Sequence, residues 1–174
     1  SKCGSLTTVR YVNSQGEIVG KEGEVTLPES LTVLGNQAFG SGRGATTTAD
    51  EGEVGAAFTK VTVPESVKYF GSYAFHDCAL LEQAIVLTSP SRHGTSSTSY
   101  AVYTFDGCTS LKRIVFNDGV TAFGYGVFRN CTSLSTIDVY TGDDGKITEN
   151  EAGVAVLPSA LAYVDYNVFM NTAI

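Results

Sequence analysis

The sequence lacks the features that would place the chain in a membrane or on nucleic acid. No apolar run approaches the ~20 residues that a bilayer-spanning helix needs, so we expect no membrane insertion. The 11 Lys and Arg residues are scattered through a chain of net charge −7, so no basic stripe is available to displace counterions from phosphates. We therefore expect neither nucleic acid nor an anionic membrane surface as a partner.

Metal-ligand patterns are missing as well. The four cysteines form no Cys-x-x-Cys pair, and no Cys/His cluster has zinc spacing. A loop that begins at Tyr140 carries Asp144 and Gly145 in a calcium-loop register, but Tyr140 and Gly142 stand where two carboxylate ligands belong. An acidic hairpin is the favoured interpretation of this segment. The sequence thus predicts no metal and no cofactor.

Catalytic groups are equally sparse, since the chain contains only two histidines, His76 and His93. A nucleophile needs a base held within hydrogen-bond reach, and nothing in the sequence places either histidine beside a fixed Ser or Cys. His76 falls at a position that we expect to face outward, and His93 lies in a serine-rich segment. We therefore predict that the chain is not an enzyme.

What the sequence does contain is an internal repeat, visible as the pattern Phe-x-x-Cys-x-x-Leu. Full copies begin at Phe75, Phe105 and Phe128, and degenerate copies begin at Phe39 and Phe169. A large apolar residue stands five positions before the Phe, and in every copy a turn former stands eleven positions before it. The shortest spacing between copies is 23 residues. A single coil of this length cannot cover its own apolar face, so the copies must stack.

Each copy also contains a short alternation of apolar residues, which is typical of a strand with one buried face. We expect a parallel ladder of strands near residues 24–27, 60–63, 84–87, 113–116 and 136–139, with a further coil near 155–157. The outward side chains on these strands are our candidate ligand-facing residues. They are Thr26, Thr62, Val86, Val115 and Asp138.

One copy, Val61-Thr-Val-Pro-Glu-Ser-Val67 followed by Gly71-Ser-Tyr-Ala-Phe75-His-Asp-Cys78, resembles the BspA-like leucine-rich repeats. The resemblance implies an α/β-type leucine-rich-repeat right-handed solenoid that is rich in strands and loops and has little helix. It implies about five coils of a 23-residue repeat, with a parallel ladder of short strands and looped-out insertions. The family also implies a secreted or cell-surface protein of host-associated bacteria or protists, and several members are regarded as adhesins.

The repeat divides the chain into residues 1–21, which we expect to form an N-terminal capping hairpin, and residues 22–174, which we expect to form the solenoid. Spacing in excess of one repeat must loop out of the coil. Three such insertions are expected, at residues 40–57, 88–99 and 140–153. The third is expected to be a hairpin, because Gly142-Asp-Asp-Gly145 separates two strand-like segments.

The repeat also assigns two columns of side chains to the core. The aromatic column contains Phe39, Phe75, Phe105, Phe128 and Phe169. The thiol column contains Cys78, Cys108 and Cys131, each three residues after a Phe. Because side chains in one column point the same way, we predict three buried, unpaired thiols. Cys3, outside the repeat, is the one cysteine that we expect to be exposed.

Asn130-Cys131-Thr132 matches the glycosylation acceptor pattern. Because Cys131 must point inward, however, we interpret Asn130 as a turn residue rather than as a glycan site.

Together these patterns predict a non-catalytic, surface-displayed or secreted interaction module. The resemblance implies adhesion to host proteins or cell surfaces, with a host matrix or cell-surface protein as the partner. The alternative is an accessory carbohydrate-binding domain, in which Tyr69, Tyr73, Tyr103 and Tyr125 would stack on a glycan. We also expect the C-terminal end of the solenoid to pack on another chain or to be covered by a terminal cap of the native protein, because an uncovered end exposes backbone groups and apolar core.

Overall fold

Short strands recur along the chain because each repeat contributes a few residues whose apolar side chains alternate. The computed structural model describes residues 6–41, 55–88, 101–141 and 147–174. These ranges contain twelve strands and no helix. The strands are β1 (Tyr11–Val12), β2 (Ile18–Val19), β3 (Glu24–Thr26), β4 (Val33–Leu34), β5 (Lys60–Val63), β6 (Tyr69–Phe70), β7 (Gln83–Val86), β8 (Arg113–Asn117), β9 (Ala122–Phe123), β10 (Thr136–Tyr140), β11 (Ile147–Thr148) and β12 (Tyr163–Val164).

The principal sheet is a parallel ladder that contains β3, β5, β7, β8 and β10 in that order. β11 extends it by pairing antiparallel with β10. Ile137 also forms a parallel bridge with Ala155, which continues the ladder into the following coil as expected. The predicted strand positions are confirmed to within one residue at each end. We call the outer side of this sheet the strand face.

The register of β7 differs from the expected one. Val86 pairs with Val63 and packs in the core, whereas Ile85 pairs with Thr62 and takes the outward position. Residues 84–87 are all apolar, and a continuous apolar run carries no alternation from which the register could be read. The assignment of Val86 to the outward column is therefore wrong.

Two smaller parallel pairs, β4 with β6 and β9 with β12, form a second side of the coil. The chain reaches this side through a turn that begins at Pro28, Pro64 or Pro158, whose carbonyl accepts from the N–H three residues later. The bend that follows brings the backbones of neighbouring repeats very close together. A Cβ at Gly71 would lie 2.3 Å from the carbonyl carbon of Gly35, so only glycine fits there.

The third side consists of the turns around each core phenylalanine, and backbone hydrogen bonds join them from repeat to repeat. The N–H groups of Phe39, Phe75, Phe105 and Phe128 each donate to a carbonyl of the next repeat at 2.8 to 3.0 Å. Backbone hydrogen bonds therefore join neighbouring coils on this side as well as in the principal sheet. We call this side the turn face, and it comprises residues 36–41, 72–78, 102–108, 125–131 and 166–172.

The core lies between the three sides and is built around one column of phenylalanine rings. From Phe39 through Phe75, Phe105 and Phe128 to Phe169, successive ring centroids are 5.4, 5.2, 5.9 and 5.7 Å apart. The planes of successive rings differ by no more than 18°. The three central rings are buried, and the two end rings are half-buried against the same cluster.

Both expected hairpins are present. β1 pairs antiparallel with β2, and β10 pairs antiparallel with β11. Leu6 and Val9 pack against the core, and Val9 bridges to Val25 at the edge of the principal sheet. The division of the chain at residue 21 stays a prediction. Cys3, His93, Asp144, most of the first two insertions and residues 142–146 of the third lie outside the described residues.

Candidate functional site

The strand face presents one side chain from each strand in an outward column. The register places Thr26, Thr62, Ile85, Val115 and Asp138 in this column. Thr26 and Thr62 are half-exposed, whereas Val115 and Asp138 are fully buried. The expectation that Val86, Val115 and Asp138 face a ligand is therefore wrong. Thr26 and Thr62 remain candidates.

Asp138 is buried because the chain folds back over it after β11. Arg113 donates one hydrogen bond to the Asp138 carboxylate and another, at 2.9 Å, to the carbonyl of Asn150. The N–H of Asn150 in turn donates to Asp138 Oδ1 at 2.7 Å. Asp138 thus holds the third insertion against the outer side of the sheet, where its charge is paired rather than displayed.

Val115 is buried because it belongs to a small apolar cluster on the outer side of the sheet. Ile85, Val115 and Tyr140 form this cluster, and Leu87 and Ile147 pack against it. Since Ile147 belongs to β11, the β10–β11 hairpin contributes to the cover. The open, polar part of the strand face therefore lies over β3 and β5.

The turn face carries a tyrosine ladder, which consists of Tyr73, Tyr103 and Tyr125. The rings of Tyr73 and Tyr103 are stacked with centroids 5.1 Å apart, and Tyr125 meets Tyr103 edge to face at the same distance. The guanidinium carbon of Arg129 lies 4.6 Å from the centroid of the Tyr103 ring. Burial raises the pKa of Tyr73 and that of Tyr103, so both remain neutral phenols at physiological pH.

The backbone under this ladder is left-handed. Tyr73 and Tyr103 have φ values of 59° and 54°, and the equivalent residues of the other repeats are Gln37, Gly126 and Asn167, with φ values of 55°, 60° and 58°. The turn thus requires a positive φ from every repeat. Gly and Asn adopt this conformation more easily than a tyrosine does.

Behind the ladder lies a buried polar cluster centred on Asp106, whose exposed fraction is 2%. Arg129 donates to its two carboxylate oxygens at 3.2 and 2.7 Å, and Asn130 Nδ2 donates to Oδ1 at 3.0 Å. His76 Nε2 lies 3.5 Å from Asp106 Oδ2. Burial by itself would raise the pKa of Asp106, but hydrogen bonds from His76 and Arg129 outweigh it and the pKa is lowered.

His76 is buried as well, which corrects the expectation that it faces outward. Its Nδ1 lies 2.8 Å from Ser41 Oγ and 3.2 Å from Asp77 Oδ2. The fold therefore fixes a serine beside a histidine, although no sequence pattern indicates it, and Ser41, His76 and Asp106 have the residue types of a hydrolase triad. However, Ser41 is only 1% exposed and its hydroxyl also donates to Asp77, so the serine is held inside the fold and cannot meet a substrate.

The sequence did contain a signal for this cluster. His76, Asp106 and Arg129 each follow a core phenylalanine directly, so they occupy one position in three consecutive repeats. Stacked coils bring such residues side by side, and basic, acidic and basic groups in that order favour ion pairs. Assigning only the apolar columns of the repeat overlooks this column of ionisable residues.

Acidification is expected to weaken the fold through Asp106. Because its folded pKa lies below that of an unfolded aspartate, its stabilising contribution is complete at neutral pH and is lost as the pH falls through the folded value. Urea melts at about pH 7 and about pH 3 should therefore show a larger loss of stability for the natural chain than for Asp106→Asn, which cannot titrate. Equal losses in the two chains would contradict this role.

The thiol column has a hydrogen-bonding function in the stack. Each thiol donates to the carbonyl of the phenylalanine in the preceding repeat. The pairs are Cys78 to Phe39 at 3.5 Å, Cys108 to Phe75 at 3.1 Å and Cys131 to Phe105 at 3.0 Å. All three thiols are unpaired and buried, as predicted, and burial raises the pKa of Cys108 and of Cys131.

These thiols should be unreactive in the folded chain, because only an accessible thiolate reacts quickly. Titration with Ellman's reagent should find about one fast-reacting group in the native state, from Cys3, and about four after denaturation without reductant. Recovery of only two thiols from the denatured chain would mean that a disulfide exists.

Asn130 has the turn role that the sequence predicts. Its φ is 61°, its Nδ2 donates to Asp106, and its Oδ1 accepts from Asn171 Nδ2 at 2.8 Å. Both polar ends of the Asn130 side chain are thus used within the fold.

Within the described ranges, no group of three or more His, Cys, Asp or Glu residues could hold a metal ion. The same ranges contain no helix long and apolar enough to cross a membrane. The central residues of the suspected calcium loop lie outside them.

The last coil exposes an unusual amount of apolar surface. Its exposed large hydrophobic residues are Val154, Val156, Leu157, Tyr163, Val164, Tyr166, Met170 and Ile174. Each has at least 41% of its surface exposed, and their side chains are contributed by both the strand side and the turn side of the coil.

Comparison with known proteins agrees with this architecture. The family model of the BspA type leucine-rich repeat region matches residues 55–149 in six copies, which is more than half of the chain. Searches of curated proteins and of solved structures found no match. Repeats of this family are generally non-enzymatic protein-interaction modules, and proteins that carry them are typically secreted or displayed on the surface. The chain belongs to the BspA-type leucine-rich repeat family.

Proposed function

We propose that this chain is a secreted or cell-surface adhesion module, which binds a host matrix or cell-surface protein without catalysing a reaction. The observation that carries the proposal is the regular display of side chains on a hydrogen-bonded frame. On the turn face, for example, tyrosine rings from adjacent repeats are held 5.1 Å apart. A rigid surface of this kind loses little conformational entropy when a partner binds.

The burial of a serine and histidine pair also supports a binding function. Among the described residues, Ser41 and His76 have the residue types of a catalytic pair, and no more than 2% of either residue is exposed. On the strand face, Thr26 and Thr62 remain half-exposed on the outward column and are proposed as contact residues there.

The carbohydrate alternative is less well supported by the geometry. A sugar stacks on an open ring face, but the Tyr73 and Tyr103 rings are stacked on each other and Arg129 lies over the Tyr103 ring. Tyr69 lies in β6, apart from this ladder, and is only half-exposed.

Binding of the whole chain to a panel of purified extracellular-matrix proteins tests the proposal, with a glycan array run in parallel. We expect saturable binding to at least one matrix protein, and no binding by the urea-unfolded chain. A signal confined to the glycan array would overturn the protein-binding proposal in favour of the alternative.

We further propose that the C-terminal end of the solenoid packs on another chain. Its exposed apolar side chains, Tyr163 and Val164 of β12 among them, would be removed from water by such a contact. Sedimentation should show an assembly at high protein concentration that is weakened by Val164→Asp. A monomer at every concentration would contradict this proposal.

A further inference from the structure

We propose that the turn face, through its tyrosine ladder, is the main surface by which this chain contacts its protein partner. The inference rests on the proposed binding function and adds to it the surface and the chemistry of contact. It places the contact on a different side of the coil from the strand-face residues Thr26 and Thr62.

The first argument is the composition of the turn face. Among its described residues, the only charged groups with exposed surface are Asp77, which accepts a hydrogen bond from Ser41 Oγ, and Arg129, which pairs with Asp106. The remaining surface includes Tyr73, Tyr103, Tyr125 and Tyr166. Tyrosine and arginine without unpaired charge are typical of the centre of a protein interface, and tyrosine with asparagine and serine is typical of antibody paratopes.

The second argument is the backbone under Tyr73 and Tyr103. Both residues adopt a positive φ in a column where two other repeats use Gly126 and Asn167. The coil would fold at least as easily with Gly or Asn in these positions, so the turn itself does not call for a tyrosine. A tyrosine whose backbone adopts a conformation that this residue disfavours indicates a role for its ring outside the turn.

The third argument is the rigidity of the ladder. Arg129 uses Nε and Nη2 to bind the buried Asp106, which fixes the guanidinium over the Tyr103 ring. Within the described residues, Nη1 of Arg129 has no acceptor. The surface thus offers fixed ring edges and the two N–H donors of Nη1, which have no acceptor within the described residues.

These features define the partner as a protein surface of a particular chemistry. Such a partner places apolar side chains against the edges of the tyrosine rings and a carbonyl or carboxylate oxygen against Arg129 Nη1. A glycan would need an open ring face, which the stacking of Tyr73 on Tyr103 does not leave between the two rings.

The test uses the double variant Tyr73→Asn/Tyr103→Asn in the full chain. Asn is the natural residue at Asn167 in the same column, so the backbone conformation is retained. The matched controls are Val33→Thr in β4 and Tyr69→Thr in β6, which change side chains outside the ladder and outside the strand face. Urea melts of all variants establish that each one is folded.

Two probes are used, and each decides the inference. The first is whichever protein of the extracellular-matrix panel binds the natural chain. We expect its affinity to fall by at least about tenfold in the ladder variant and by less than about twofold in both controls. An unchanged affinity in the ladder variant would overturn the inference and leave the proposed function intact.

The second probe is a naive synthetic single-domain antibody library selected on the natural chain, which needs no natural partner. We expect most selected binders to lose affinity for the ladder variant and to retain it for the controls. If no matrix protein binds but the binders converge on the ladder, the adhesion proposal fails and the surface assignment is supported. Binders that are insensitive to the ladder variant would overturn the surface assignment.

Discussion

Phe128→Ala is expected to lower the free energy of unfolding by about 3–5 kcal/mol. The Phe128 ring is fully buried and contacts the rings of Phe105, Phe116, Phe123 and Phe169, with centroids 5.6 to 5.9 Å away. The neighbouring coils are joined by backbone hydrogen bonds and cannot collapse into the space that the ring leaves. Urea unfolding of the two chains measures the difference.

Phe169→Ala is the matched control, since it removes the same ring from the half-buried end of the same column. We expect Phe169→Ala to be clearly less destabilising than Phe128→Ala, because folding buries less apolar surface at Phe169. A loss below about 1 kcal/mol for Phe128→Ala, or equal losses for the two variants, would contradict a continuous aromatic core.

Asp106→Ala is expected to destabilise the fold by about 3 kcal/mol. The substitution removes the carboxylate that accepts from Nε and Nη2 of Arg129 and that lies beside the imidazole of His76. Removing one member of a buried pair is worse than removing both. Asp106→Ala/Arg129→Met should therefore be less destabilised than the sum of the two single variants.

Urea melts of the two single variants and the double variant form a complete cycle for this pair. Thr62→Ala, on the exposed part of the strand face, is the control and should change stability by less than about 0.5 kcal/mol. Additive effects of Asp106→Ala and Arg129→Met would mean that the two side chains are not coupled.

The repeat predicted the principal sheet well where its alternation is clear. In β5 and β10 a polar residue, Thr62 or Asp138, separates two apolar residues, and this alternation fixes the inward side. In and just after β7, four consecutive apolar residues, 84–87, show no alternation, and the predicted register is wrong by one position. Pairing with β5 and β8 determines which side of β7 faces the core.

The candidate site was harder to predict, because a repeat pattern indicates only whether a side chain points into or out of its own coil. It does not report what later folds over that side chain. Asp138 leaves the sheet outward as predicted, but Asn150, twelve residues later in an insertion, covers it. His76 is likewise buried by polar partners, Ser41 and Asp106, that come from two other repeats. Neither event follows from the alternation of apolar residues.

Native-state hydrogen exchange tests the stacked-coil frame, on which every proposed surface depends, most directly. The amide of Phe105 donates to the next repeat at 2.9 Å, whereas that of Phe169 has no acceptor within the described residues. We predict that the Phe105 amide exchanges only with global unfolding and that the Phe169 amide exchanges much faster. Fast exchange at Phe105, or equal protection of the two amides, would contradict the account.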